Sequence, residues 1–277
     1  MKRRFSKRFF KNPSALVGTG IIAIFLLTAL IGPALRSDDP YKLNLSQKLK
    51  APGENGHILG TDNFGRDLLT RIIYGSRISL KVCLMIVLGG GTIGVIIGAI
   101  SGYIGGYADT VLMRVTEIFM AVPAFILAMV VVVTLGPSLY SAMTAMIVVW
   151  WPAYARITRG QMLAAKENEY VEAARALGAS HIRIIFLHIL PNIFPPILIQ
   201  ATMDFGYAIL SAAGLSFLGL GAQRPMPEWG LMVSLGSTYL ESAWWYPTFP
   251  GLTIALLVFA FNLAGDAFRD IFDPKQI

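Results

Sequence analysis

Apolar residues run almost unbroken over about 14–35, and again over about 80–104, 115–135, 139–155, 193–217 and 246–268. Most of these runs approach or exceed the ~20 residues an α-helix needs to cross a bilayer core, and none alternates with the period of two that marks a half-buried strand. The pattern predicts an all-α polytopic membrane protein of about six transmembrane helices. Polar sequence collects in two intervals, 36–79 and 156–192, which lie on opposite sides of the membrane if the count holds. This divides the chain into a tail (1–13), a first span (14–35), an extracytoplasmic segment (36–79) and a core of five further spans (80–277) interrupted by the cytoplasmic loop 156–192.

Composition agrees with a lipid solvent. Of the 277 residues 55% are hydrophobic and 14% charged, too few charges to clothe a soluble globule of this size. The net charge of +7 then reads as topology rather than as a nucleic-acid footprint. Lys2, Arg3, Arg4, Lys7, Arg8 and Lys11 crowd the start without one acid, which puts the N-terminus, and after six crossings the C-terminus, in the cytoplasm. On that topology fourteen Lys and Arg fall inside and nine outside. No small-residue cleavage site follows the first run, so it is expected to remain as an anchor. The single cysteine, Cys83, can form no intrachain disulfide and is expected to pack. His57 is separated from His181 and His188 by the membrane, and no metal site is expected.

Within the second run Gly90, Gly94, Gly98, Gly102 and Gly106 recur every fourth residue. Such a ridge lets another backbone approach closely, so it predicts a helix interface. It is no phosphate loop: the Gly-Lys-[Ser/Thr] ending is missing here and throughout, so any ATP that drives this chain is bound elsewhere. Asp204 lies midway along the fifth run, where an acid must face either a watery translocation path or a partner hydroxyl, amide or base on a neighbouring helix. Trp150, Trp151, Trp244 and Trp245 fall at span ends, as aromatic belts do.

In the cytoplasmic loop Tyr170, Ala173, Ala174 and Leu177 recur at helical spacing, bordered by Glu169, Glu172 and Arg175. This small-to-apolar face is expected to dock into a partner, or else to lie on lipid. Gly178 can take the left-handed conformation that ends a helix, and Pro191 is expected to mark the start of the next span.

Glu172-Ala173-Ala174 with Gly178, followed by His188-Ile189-Leu190-Pro191-Asn192, resembles the EAA loop of binding-protein-dependent ABC transporter permeases. His188 replaces the usual apolar residue, as in the peptide-permease branch. Leu59-Gly60-Thr61-Asp62-Asn63-Phe64-Gly65-Arg66-Asp67, then Leu215 to Gly221, Glu228-Trp229-Gly230 and Asn262 to Pro274 resemble, in order, the signatures of C-type dipeptide, oligopeptide and nickel permeases. Asp266, Arg269 and Asp273 in the last are spaced to pair along a helix. The resemblance implies a type I importer permease without catalytic residues of its own. It implies a coupling helix near 168–182 seated in a separate ATPase subunit, and alternating access to peptides or a related small solute. The expected partners are a second homologous permease, two ATPase subunits carrying ATP and Mg, an extracytoplasmic solute-binding protein and membrane lipid. The competing class is an ATP-independent secondary transporter or channel.

Overall fold

The computed structural model describes residues 9–10, 12–36 and 38–272, and its secondary structure is helical apart from one isolated β-bridge between Thr61 and Asp67. The basic residues Lys2, Arg3, Arg4, Lys7, Arg8 and Lys11, and Asp273 and Pro274, lie outside the described residues. Helix α1 (Pro13–Leu35) starts where the Asn12 side chain accepts the Ala15 amide at 3.2 Å and Pro13 supplies a preset φ. Helix α2 (Leu68–Ile104) has 37 residues and begins well before residue 80. Asp67 caps it by accepting the Thr70 amide, so the end of the polar segment forms its first turns. At ~1.5 Å per residue α2 is longer than a bilayer core is thick and must project beyond it.

The third apolar run is not one straight span. Helices α3 (Gly106–Met120) and α4 (Ala124–Leu135) meet at a bend of 87°. Pro123 disfavours helical backbone at Val122, and the break falls there. Helix α5 (Leu139–Ala165) follows, then the short α6 (Glu169–Ala176), α7 (His181–Phe217), α8 (Trp229–Ser237) and α9 (Trp245–Phe272). Pro191 does not open a span: α7 starts ten residues earlier and passes through a π-helical stretch, Ile184–Ile189, in which the Leu190 amide reaches back to Ile185. Widening that turn accommodates the amide that proline lacks.

The runs expected to span are not equal in length and hydropathy. Among the described residues four helices (α1, α2, α7, α9) are long and apolar enough to cross, and five spans result if α3 and α4 count as one. Helix α5 is long enough but carries Trp150, Trp151, Pro152, Arg156 and Arg159. Trp151, Pro152, Tyr154, Ala155, Thr158 and Met162 are buried against other helices, while Arg159 is half-buried and Arg156 is exposed.

Two helix pairs organise the bundle. The glycine ridge of α2 receives α5: a Cβ on Gly94 would collide with the Trp151 carbonyl and Tyr154, on Gly98 with the Ala155 carbonyl and Thr158, and on Gly102 it would lie 2.8 Å from Met162 Cβ. Gly106 falls outside the ridge, because α2 ends at Ile104 and Gly105 caps it. Residue numbers rise together along this contact, so α2 and α5 run parallel. The chain between them must therefore return across the bundle, which is the work of the bent α3–α4 pair. At the other side α1 packs on α9, with Gly18 against the Ala260 carbonyl and Ala264 amide. Trp151 and Trp245 are buried packing residues rather than interfacial ones, and Cys83 is buried. Asp266 and Arg269, both exposed, form no ion pair with each other, as befits two solvated charges.

Candidate functional site

Two apolar cores divide the molecule. The larger joins α2, α4, α5, α7, α8 and α9. The smaller collects Tyr154, Met162, Val171, Ala174, Ile184, Ile189 and Ile193 at the end where α6 sits. Helix α6 is thus held from inside by Val171 and Ala174. Ala174 was expected on the docking face and is instead part of this anchor, 7% exposed, because the inner stripe of α6 is centred on Val171.

Tyr170, Glu172, Ala173, Leu177 and Gly178 are exposed, Leu177 to 88%. The helix ends in a Schellman turn: the Ala179 amide donates to Ala174 O at 3.1 Å and the Gly178 amide to Arg175 O at 3.0 Å, with Gly178 at φ 78°. The turn carries the chain into α7, where Ile182, five residues after Leu177, is 71% exposed. Ile182 escaped the sequence reading because it belongs to an apolar run that looks like the approach to a span. A second anchor reaches the end of α2: the Tyr103 hydroxyl and His181 Nδ1 lie 2.8 Å apart, with the rings in edge contact. Acids in the first turn of α6 and Arg175 in its last oppose the helix dipole in the favourable sense.

Asp204 is 9% exposed and faces the bundle interior. Gln200, one turn earlier on α7, donates to its Oδ1 at 2.9 Å. The Tyr154 phenol on α5 lies close enough to feel the carboxylate, although its hydroxyl completes no hydrogen bond. The surroundings of Asp204 thus come from this chain.

On the far side of the bundle the Leu59–Asp67 segment is a knot. Buried Asp62 accepts the Phe64 and Arg66 amides at 2.8 and 3.0 Å and pairs with Arg66 Nε at 2.6 Å. Buried Arg71 donates to Pro40 O at 2.8 Å and also reaches Asp62. Gly65, at φ 73°, passes so close to the Asn44 carbonyl that no Cβ fits. Burial alone would raise the Asp67 carboxyl, but the Thr70 amide, His57, the Thr70 hydroxyl and the Arg36 charge together bring it below the usual carboxylate range. Glu228, almost wholly buried, is pushed up by burial and partly relieved by the Gly230 and Leu231 amides that it caps. These groups hold structure and none is arranged for group transfer.

A polar cleft of about 640 Å³ opens between α3 and α5, lined by Thr116, Glu117, Met120, Arg156 and Arg159 among others. Its floor is a clasp in which Arg159 donates to Asp109 through Nε and Nη2 at 2.5 and 2.6 Å, and Ser101 also bonds to Asp109.

Residues 94–277 match the family described as binding-protein-dependent transport system inner membrane component, and residues 2–52 match the N-terminal TM domain of oligopeptide transport permease C. The dipeptide transport system permease protein DppC of Alkalihalophilus pseudofirmus is 45% identical over 99% of this chain and 90% of its own length. The protein of the same description from Escherichia coli K12 is 42% identical, covering 99% and 93% respectively. Among solved structures, a chain of the inward-facing MetNI methionine ABC transporter superposes with a TM-score of 0.59 at 21% identity, covering 74% of this chain and 98% of that one. That likeness concerns the fold.

Proposed function

Because the chain belongs to the family of binding-protein-dependent transport system inner membrane components, as a multi-pass, non-catalytic permease subunit of an ABC importer, we propose that it forms half of a path for di- or oligopeptides. A second homologous permease supplies the other half, two ATPase subunits bind ATP and Mg, and an extracytoplasmic binding protein delivers the solute. Full-length kinship with dipeptide permeases supports the peptide assignment. On this reading the chain's termini and α6 are cytoplasmic, the knot around Asp62 faces the binding protein, and α5 is a sixth crossing alongside α2.

The observation that carries the mechanism is the two-sidedness of α6. Val171 and Ala174 bind it to the core beneath α7 while Tyr170, Ala173 and Leu177 are offered outward. An ATPase cleft closing on the outward face would push on α7 through Ile184 and Ile189, and on α2 through the Tyr103–His181 contact. Asp204 is read as a helix-packing carboxylate, since it is buried and held by Gln200 of its own helix beside the Tyr154 ring of α5. The experiment that tests the function is uptake of a labelled dipeptide into proteoliposomes. The full complex, with binding protein outside and ATP enclosed in the lumen, is expected to accumulate peptide, whereas this chain with its permease partner alone is expected not to. Accumulation without the ATPase subunits would establish the secondary-transporter class instead.

A further inference from the structure

We propose that Arg156 holds the C-terminal carboxylate of the transported peptide during passage, in the cleft between α3 and α5. The inference rests on the peptide reading above and adds a specificity-determining residue to it.

Arg156 lies on α5 within the stretch packed along α2, one turn before the clasp residue Arg159. It is exposed, and its one described polar contact is a 3.5 Å approach to the Met120 sulfur, a weak acceptor. The other charges of the cleft are committed: Arg159 to Asp109, and Glu117 to Arg114 at 2.8 Å. One guanidinium is thus left over, beside the break between α3 and α4. Arg156 stands where α5 passes from its apolar run into the loop 156–192, so its guanidinium faces water or the solute path rather than lipid.

The walls fit a variable solute with one constant feature. Met113 and Met120 line the cleft. Unbranched thioether side chains repack around differing shapes, which suits peptide side chains that vary from one substrate to the next. What nearly all free peptides share is a terminal carboxylate, and a guanidinium recognises it through a planar two-point fork. Behind it the Arg159–Asp109 clasp closes the floor of the cleft.

The test uses the assembled, nucleotide-free complex in nanodiscs, without binding protein, so that the binding protein's own selectivity does not enter. Saturation-transfer NMR would compare dialanine with dialanine amide. Wild type is expected to bind the free acid about tenfold more tightly than the amide, the scale of one charge-assisted pair. Arg156→Gln should bring the two together, and Arg156→Lys should keep part of the difference. Equal affinities in wild type, or a preference that survives Arg156→Gln, would overturn the proposal. If Arg156→Gln fails to assemble, loss of preference in Arg156→Lys relative to wild type decides it. The same anion chemistry could come from a lipid headgroup. Phosphatidylglycerol retained by wild type and lost in Arg156→Gln, with no acid–amide difference, would assign the site to lipid and refute the peptide role. ATP-driven dialanine uptake by wild type with its binding protein is scored separately, so failure of the transport function is told apart from failure of this contact.

Discussion

Gly178 and Gly65 both sit at positive φ but for different reasons. At Gly65 the obstacle is volume, since a Cβ would enter the Asn44 carbonyl. At Gly178 nothing lies within 4 Å of where a Cβ would be, so only backbone conformation is at stake. Asn, which tolerates the left-handed region, should therefore serve at 178, while Val should cost at least about 1–2 kcal/mol and unmake the turn. Gly178→Val is expected to insert normally yet lose transport and ATPase stimulation together, with Gly178→Asn close to wild type. Normal coupling in a correctly assembled Gly178→Val complex would remove α6 from its assigned role. The turn was legible because glycine follows a helical repeat at a fixed distance. The inward orientation of Ala174 was not, because alanine is small enough for either face and only the neighbouring Val171 decides which is buried.

For the helices, the four-residue glycine period announced an interface but not its partner. The partner is α5 of the same chain, so the expected effect of bulk is on this subunit's own folding and only secondarily on assembly. Gly90→Ala should be nearly neutral, since its nearest approach to α5 is an ordinary 3.4 Å to Trp150 Cβ. Gly94→Ala and Gly98→Ala meet backbone and should each destabilise by about 1–3 kcal/mol, and Gly94→Leu/Gly98→Leu should leave little folded chain. Thermal denaturation of the purified complex measures the first three and protease resistance in membranes the last. A double leucine variant as stable as wild type would show that α5 does not close on this ridge. The 87° bend had a visible cause in Pro123, yet Pro191, Pro195 and Pro196 interrupt nothing comparable. At Pro191 the π-helical stretch before Leu190 makes the room, a backbone adjustment with no sequence mark of its own.

For the molecule as a whole, the knot at the end of α2 binds the segment 38–67 to the bundle, and Asp67 is where α1's end, the segment and α2 meet. Its carboxylate is stabilised in the fold by Thr70, His57 and Arg36, so the folded form prefers it ionised. That stabilisation is complete above the ordinary aspartate range and is lost as the pH falls through the lowered folded value. Proteolysis of the segment should therefore be slow near neutrality and accelerate below about pH 4, whereas Asp67→Asn should be susceptible at neutral pH with a flatter acid dependence. Unchanged neutral protection in Asp67→Asn would mean that the carboxylate is not what secures the segment.

The parallel placement of α2 and α5 also sets a schedule for synthesis. The ridge from Gly90 to Gly102 enters the bilayer before its cover exists, and about sixty more residues must be translated before Ala165 completes α5. At about 5–20 residues per second that is on the order of 3–12 s in which a side-chain-free helical stripe is open to any neighbour. Until α3 and α4 have carried the chain back, the competitor best shaped to occupy it is the ridge of another nascent copy.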